Sequence, residues 1–144
     1  SGHSLRDIII AASIIEREAG IPEDMPLVSS VIYNRLDKGM ALQMDSVVSY
    51  ILQEDKVNLT YADIAVESDY NPYKNTGLPP GPICSPGINA IKAAISPAKT
   101  DYLYFVVSEK LDGSAAFSSD YNQFLKDKDA YYKAYQKAES EKEN

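Results

Sequence analysis

Between Asp69 and Ile83 the chain runs Asp-Tyr-Asn-Pro-Tyr-Lys-Asn-Thr-Gly-Leu-Pro-Pro-Gly-Pro-Ile, and no helix or strand can pass through it. Its four prolines lack the amide donor that both elements need, and its two glycines favour turns. Prolines also hold the backbone in place, while the tyrosines and Leu78 give the stretch apolar surface to pack. It is a rigid loop rather than a linker. Tyr70, Asn71 and Tyr73 on such a loop suit either the wall of a binding site or an Ω-type segment wrapped around the core. The fold has to be assembled from the segments on either side.

Upstream, Leu5 to Ala19 has helical spacing and closes in Ala-Ser-Ile-Ile-Glu-Arg-Glu-Ala-Gly. Gly20 suits the left-handed position just past a helix end, and Pro22 discourages continuation. At ~100° per residue, Arg6, Ser13 and Arg17 share a polar arc, with Ile8, Ala12, Ile15 and Ala19 opposite it. Glu16 falls nearer the polar arc; Glu18 falls between Ile14 and Ala11. A carboxyl group on an apolar helix face loses hydration, which raises its pKa toward neutrality, as a general acid requires. The same position also suits an exposed glutamate in a fraying last turn.

A chain of 144 residues can bury one core. Its 14 basic and 21 acidic residues give a net charge of −7 with no basic stripe, which speaks against a nucleic-acid partner. The single cysteine, Cys84, excludes an internal disulfide and a multi-cysteine metal site, and suits a small buried apolar role. The single histidine, His3, lies in Ser-Gly-His-Ser, which reads partly as a tag remnant over residues 1–4. The folded part then has no histidine, so a Ser-His-Asp triad, a Cys-His pair and His-ligated zinc fall away. Carboxylates, tyrosines and lysines remain for acid–base chemistry. Eleven tyrosines without a tryptophan suit sugar contacts, and equally suit half-buried packing. The sequence shows neither a signal peptide nor an apolar run long enough to span a bilayer.

A second helix is expected after Glu23-Asp24, with Pro26 in its first turn, ending at Gly39. On it, Asn34 and Arg35 read as a solvated face. Met40 to Asp45 is a connector, with Asp45 capping a helix from Ser46 to about Gln53. Lys56 to Leu59 reads as a loop, and Thr60-Tyr-Ala-Asp63 as a capping box opening a short helix to Val66. Ser85-Pro86 is expected to begin a helix to about Ile95, stopped by Pro97. Tyr102 to Val107 has strand composition, Asp112-Gly113 marks a turn, and Ala115 to Ser118 can return as its partner. A long helix begins at Asp120 and fades into a charged tail. The fold class is α+β: one mostly helical domain with a small antiparallel hairpin.

Several segments stand in order along this framework: Ala12-Ser-Ile-Ile-Glu-Arg-Glu18, Val31-Ile-Tyr-Asn-Arg-Leu36 and Gly39-Met-Ala-Leu-Gln-Met-Asp45. Tyr70-Asn-Pro-Tyr73 follows with Gly77-Leu-Pro-Pro-Gly-Pro-Ile83, then Pro97-Ala-Lys-Thr and Tyr102-Leu-Tyr-Phe-Val. In these, over about residues 5 to 118, the chain resembles the YceG-like (MltG) family of endolytic murein transglycosylases. The resemblance implies a lytic-transglycosylase-like active-site helix and cleavage of the β-1,4 bond between N-acetylmuramic acid and N-acetylglucosamine without water. One glutamate would protonate the leaving oxygen, then take the proton of the 6-hydroxyl as a 1,6-anhydro product closes, where hydrolases employ two carboxylates. The family's catalytic position corresponds to Glu18, leaving Glu16 structural or a nearby charge. Asn34, Gln43, Asp45, Tyr70, Asn71 and Tyr73 match motif positions and are candidates for holding the sugar. No cofactor or metal is implied. Division into a remnant at 1–4, a catalytic domain at 5–135 and a charged, disordered tail at 136–144 follows.

Many relatives carry histidines near the hairpin turn, where this chain has Gly113-Ser-Ala-Ala-Phe117 and Asp120-Tyr-Asn-Gln-Phe124. That absence keeps open a peptidoglycan-binding module with impaired catalysis. An enclosed Glu18 would argue for the enzyme, and an exposed, ion-paired one for the module. The label aminodeoxychorismate lyase, also carried by the family, would need pyridoxal phosphate on a buried lysine, and neither Lys74 nor Lys92 suits that role. The resemblance further implies peptidoglycan strands and peptidoglycan synthases as partners. It places the full-length protein on the extracytoplasmic membrane face, held by an amino-terminal anchor outside this sequence.

Overall fold

The computed structural model describes residues 2–56 and 58–143. Ser1 of the amino-terminal stretch, Val57 of the expected Lys56–Leu59 loop and Asn144 of the tail lie outside the described residues. Helix α1 spans Leu5–Glu18 and is capped by Ser4, whose hydroxyl accepts the Asp7 amide at 3.1 Å. From Ile10 to Ile15 it is buried without a break. That is more than the one-sided arc expected from helical spacing, because α5 (Ile88–Ile95), α2 (Met25–Asp37) and α3 (Asp45–Leu52) all pack against it. Ser13, on the expected polar arc, is fully enclosed. Its hydroxyl donates to the Ile10 carbonyl at 2.7 Å and accepts the Ile83 amide at 3.0 Å, fastening the end of the proline-rich loop to the central helix.

The end of α1 departs from the expected glycine cap. Ala19 closes the helix in extended conformation, and Gly20 does not have a positive φ. Glycine is needed there for another reason: a Cβ would lie 2.2 Å from the carbonyl oxygen of Gly113, in the hairpin turn. Gly39, by contrast, takes φ +68° just past α2, the left-handed stop that its position suggests. A 3-10 turn at Pro22–Asp24 leads into α2, and α4 (Tyr61–Ile64) begins with the reciprocal Thr60–Asp63 capping box. The α5 helix starts two residues later than its Ser-Pro signal. Gly87 is its N-cap residue, and the Glu16 carboxylate accepts the Gly87 amide at 2.6 Å. A long-range carboxylate thus replaces the local serine.

Strands β1 (Tyr104–Val107) and β2 (Ala115–Ser118) pair antiparallel, with Tyr104 opposite Ser118 and Phe105 opposite Phe117. Alternation along a strand sends neighbouring side chains to opposite faces. Phe105 and Phe117 therefore join the helical core, while Tyr104 meets Tyr121 and Phe124 of α6 (Tyr121–Lys142). Helix α6 is helical through the charged segment to Lys142. The architecture is the mostly helical domain with a small antiparallel hairpin that the sequence implies. No helix among the described residues is long and apolar enough to cross a membrane.

Replacing Ser13 by alanine would strand the buried Ile83 amide without an acceptor. A loss of roughly 1–3 kcal/mol is expected from urea unfolding. Ser29→Ala is the control, because the Ser29 hydroxyl is buried with no partner among the described residues. Equal midpoints for the two variants would show that the Ser13 link contributes nothing.

Candidate active site

Glu18 is the last residue of α1, one turn beyond the enclosed segment. As a residue it is half-buried, but protein surrounds its carboxyl group. The Ser46 amide, at the start of α3, donates to its Oε2 at 3.1 Å. The Ser46 hydroxyl lies beside it, buried without a hydrogen-bond partner of good geometry among the described residues. Burial raises the Glu18 pKa, Ser46 opposes that rise, and the Asp45 charge adds to it. Loss of hydration outweighs the donors, so the neutral acid is favoured well beyond the usual carboxylate range. Glu16, two residues earlier, is committed to the α5 amino terminus.

Asp45 is not the helix cap expected from its position. Met44 is the N-cap residue, and no side chain among the described residues caps the helix. Asp45 instead occupies the first helical position with its side chain turned outward, and its Oδ1 accepts the Tyr73 hydroxyl at 2.5 Å. Enclosure and the Asp45 carboxylate push the Tyr73 hydroxyl well above its ordinary pKa. It therefore stays protonated and serves as a donor. Gln43 adopts φ 52°, a left-handed conformation that costs ~1 kcal/mol for a residue with a Cβ. Its amide is held by the Pro72 carbonyl at 3.1 Å.

Arg35 explains how this connector keeps its shape. Read as a solvated position, it is in fact only 8% exposed. Its Nε donates to the Leu103 carbonyl at 2.7 Å, its Nη1 to the carbonyls of Ala41 and Leu42, and its guanidinium lies 5.3 Å from the Tyr104 ring. One side chain thus ties α2 to the approach to β1 and to the segment carrying Gln43 and Asp45. Sequence reasoning missed it, although an arginine beside backbone carbonyls of a short connector is the available signal.

The candidate residues separate into two groups. Glu18, Gln43, Asp45 and Tyr73 line one cleft of about 750 Å³. Asn34 and Asn71 are bound to backbone instead. Asn34 donates to the carbonyls of Thr100 and Tyr102, at 3.0 and 2.9 Å. Asn71, fully buried, donates to Ile64 and Val66 and accepts the Tyr73 amide at 2.8 Å. Tyr70 packs on Tyr50, with ring centres 5.4 Å apart, and its hydroxyl lies over Gly81. A second, more polar cleft of about 510 Å³ meets the first at Glu18 and Asp45, with Arg17, Ser49 and Gln53 on its walls. The carboxyl group stands where the two clefts join.

Folded Glu18 binds its proton more tightly than an unfolded glutamate with its ordinary value of 4.5. Its contribution favours folding below that value and is lost as pH rises through the raised folded pKa. Glu18→Gln removes the penalty of ionising it in place. The melting temperature of the variant should exceed the parent's by a few degrees at neutral pH, and the gain should vanish in acid. A variant less stable than the parent at neutral pH would contradict the enclosed carboxyl group.

A profile of the YceG-like family matches residues 1–130. An endolytic murein transglycosylase of Bacillus subtilis is 42% identical over 128 residues, which cover 89% of this chain and 35% of that protein. One from Streptococcus pneumoniae is 38% identical over 108 residues, covering 72% of this chain and 20% of the relative. The crystal structure of a YceG-like protein from Listeria monocytogenes superposes with a TM-score of 0.78 at 44% identity, covering 85% of this chain and 39% of that one. The chain spans about a third of the Bacillus relative's length or less of the others compared by sequence. With the family profile, the relatives compared by sequence and the superposed fold in agreement, the chain belongs to the YceG-like family.

Proposed function

We propose that this domain is a lyase that cuts peptidoglycan strands between N-acetylmuramic acid and N-acetylglucosamine by lytic transglycosylation, with Glu18 as its one acid–base group. The observation that carries this assignment is the Glu18 carboxyl group, enclosed at the junction of two clefts and free of any ion pair among the described residues. An ion-paired, exposed glutamate would have favoured a binding module; this arrangement favours an acid.

The neutral carboxyl group gives its proton to the glycosidic oxygen, and the N-acetylglucosamine end departs as an alcohol. The resulting carboxylate takes the proton of the muramic acid 6-hydroxyl while that oxygen closes onto C1. Glu18 is then protonated again, and no water is consumed. The Ser46 amide stabilises the carboxylate between the two transfers. Gln43, Asp45 and Tyr73 face the same cleft and are suited to sugar hydroxyl and N-acetyl groups, while Asn34, Tyr70 and Asn71 keep the walls in position. Clefts on both sides of the carboxyl group give a strand room to continue past the cut, as internal cleavage requires. The substrate lies on the extracytoplasmic face of the membrane, where peptidoglycan synthases and an anchor outside this sequence would hold the enzyme near new strands.

Digestion of purified peptidoglycan, with products read by mass, tests the assignment. The parent should leave 1,6-anhydro-muramic ends, and Glu18→Gln should form them at least ~100-fold more slowly. Reducing ends would mean hydrolysis and overturn the mechanism; binding without products would favour the module. Because the first step needs neutral Glu18, kcat/KM should fall as pH rises through its raised pKa.

A further inference from the structure

Helix α6 has 22 residues and none is buried, yet it carries an aromatic face. At ~100° per residue, Tyr121, Phe124, Lys128, Tyr131, Tyr132 and Tyr135 fall within about 100° of arc. The first two rings are accounted for by Tyr104 of β1, whose ring centre lies 5.5 Å from each. Beyond them no ring of the hairpin is paired with α6 among the described residues. Tyr131 packs against Tyr132 and Tyr135 of its own helix, at 5.7 and 6.1 Å, and those two remain 47% exposed. These rings do not face outward at random. They line the cleft that also contains Glu18, Asp45 and Tyr73.

We infer that the α6 face from Phe124 to Tyr135 is a distal platform for the glycan strand, stacking its sugar rings beyond the bond addressed by Glu18, with Lys128 receiving a carboxylate of the strand's substituents. This rests on the function proposed above and extends it to strand length. The face continues the cleft of the candidate acid, so a polymer seated at Glu18 is led onto it. From Phe124 to Tyr135 the helix axis advances ~16 Å, more than a single sugar ring covers. Tyrosines offer flat apolar rings to the C–H faces of pyranoses and hydroxyls to their edges. Lys128 faces the same cleft and makes no ion pair among the described residues, in a chain of net charge −7. Muramyl lactyl and peptide carboxylates supply the complementary charge.

The test measures binding of purified glycan strands, sorted by length, to Glu18→Gln protein, with and without Tyr131→Ala/Tyr135→Ala. Loss of two stacking rings should weaken long strands about tenfold relative to the shortest bound strand, given typical aromatic contact energies. Tyr135→Phe, which keeps the ring, should retain most of the long-strand affinity, and Lys128→Gln should weaken only strands that carry carboxylates. Tyr135→Ala alone, at an exposed position, keeps the test open should the double variant fold poorly. Equal effects on long and short strands, or none, would overturn the platform. So would a dimeric parent made monomeric by the tyrosine variants, which would assign the face to a second copy. Parallel digestion by Glu18-containing protein separates the two claims: cleavage without a length effect removes the platform alone, and a length effect without anhydro ends removes the cleavage mechanism alone.

Discussion

Enclosure of α1 from Ile10 to Ile15 is the constraint on which the rest of the molecule depends. A helix with one open face could let its terminal glutamate swing into water. Here Ile10 to Ile15 are buried between α2, α3 and α5, so the turn that follows leaves the core at one place, against the amino terminus of α3. Two influences then meet at the Glu18 carboxyl group. Backbone amides at a helix start favour negative charge, and burial disfavours it. Burial prevails, which leaves a group able both to give a proton and to tolerate losing it.

The cleft walls are held by polar side chains that bind backbone rather than each other. Arg35 gathers carbonyls from the connector and from the approach to β1. Asn71, on the proline-rich loop, gathers the carbonyls of Ile64 and Val66 at and beyond the end of α4 and accepts the amide of Tyr73, whose hydroxyl meets Asp45. Asn34 secures the chain ahead of the hairpin. These segments have few backbone partners of their own, so buried side-chain donors satisfy carbonyls that would otherwise be left unpaired. Such an arrangement also sustains Gln43 in its left-handed conformation at the cleft edge. Local strain is kept where surrounding bonds determine the backbone.

Much of the fold was legible because its causes are local. Helical spacing marks α1 and α2, the Thr60–Asp63 box marks α4, and β-forming composition with a Gly113 turn marks the hairpin. Misreadings cluster where a distant group took over a local task. Ser85 looks like the cap of α5, but Glu16 reaches Gly87 from α1. Asp45 looks like the cap of α3, but Tyr73 claims it. Gly20 looks like a left-handed stop, but the Gly113 carbonyl demands its missing side chain. Asn34 and Arg35 sit among helical polar positions and could not be distinguished from solvated residues without their partners.

The sequence by itself determined where helices and hairpin form, that the proline-rich stretch is a rigid loop, and that Glu18 rather than Glu16 lies toward apolar residues. Those properties follow from backbone sterics and from the spacing of neighbours along the chain. Only the tertiary structure decided that Glu18 meets Ser46, that Asp45 and Tyr73 share a hydrogen bond, and that the aromatic face of α6 opens onto the same cleft. Each of those joins residues far apart in sequence, and their meeting depends on how enclosed helices and a two-sided hairpin pack, which no local pattern encodes.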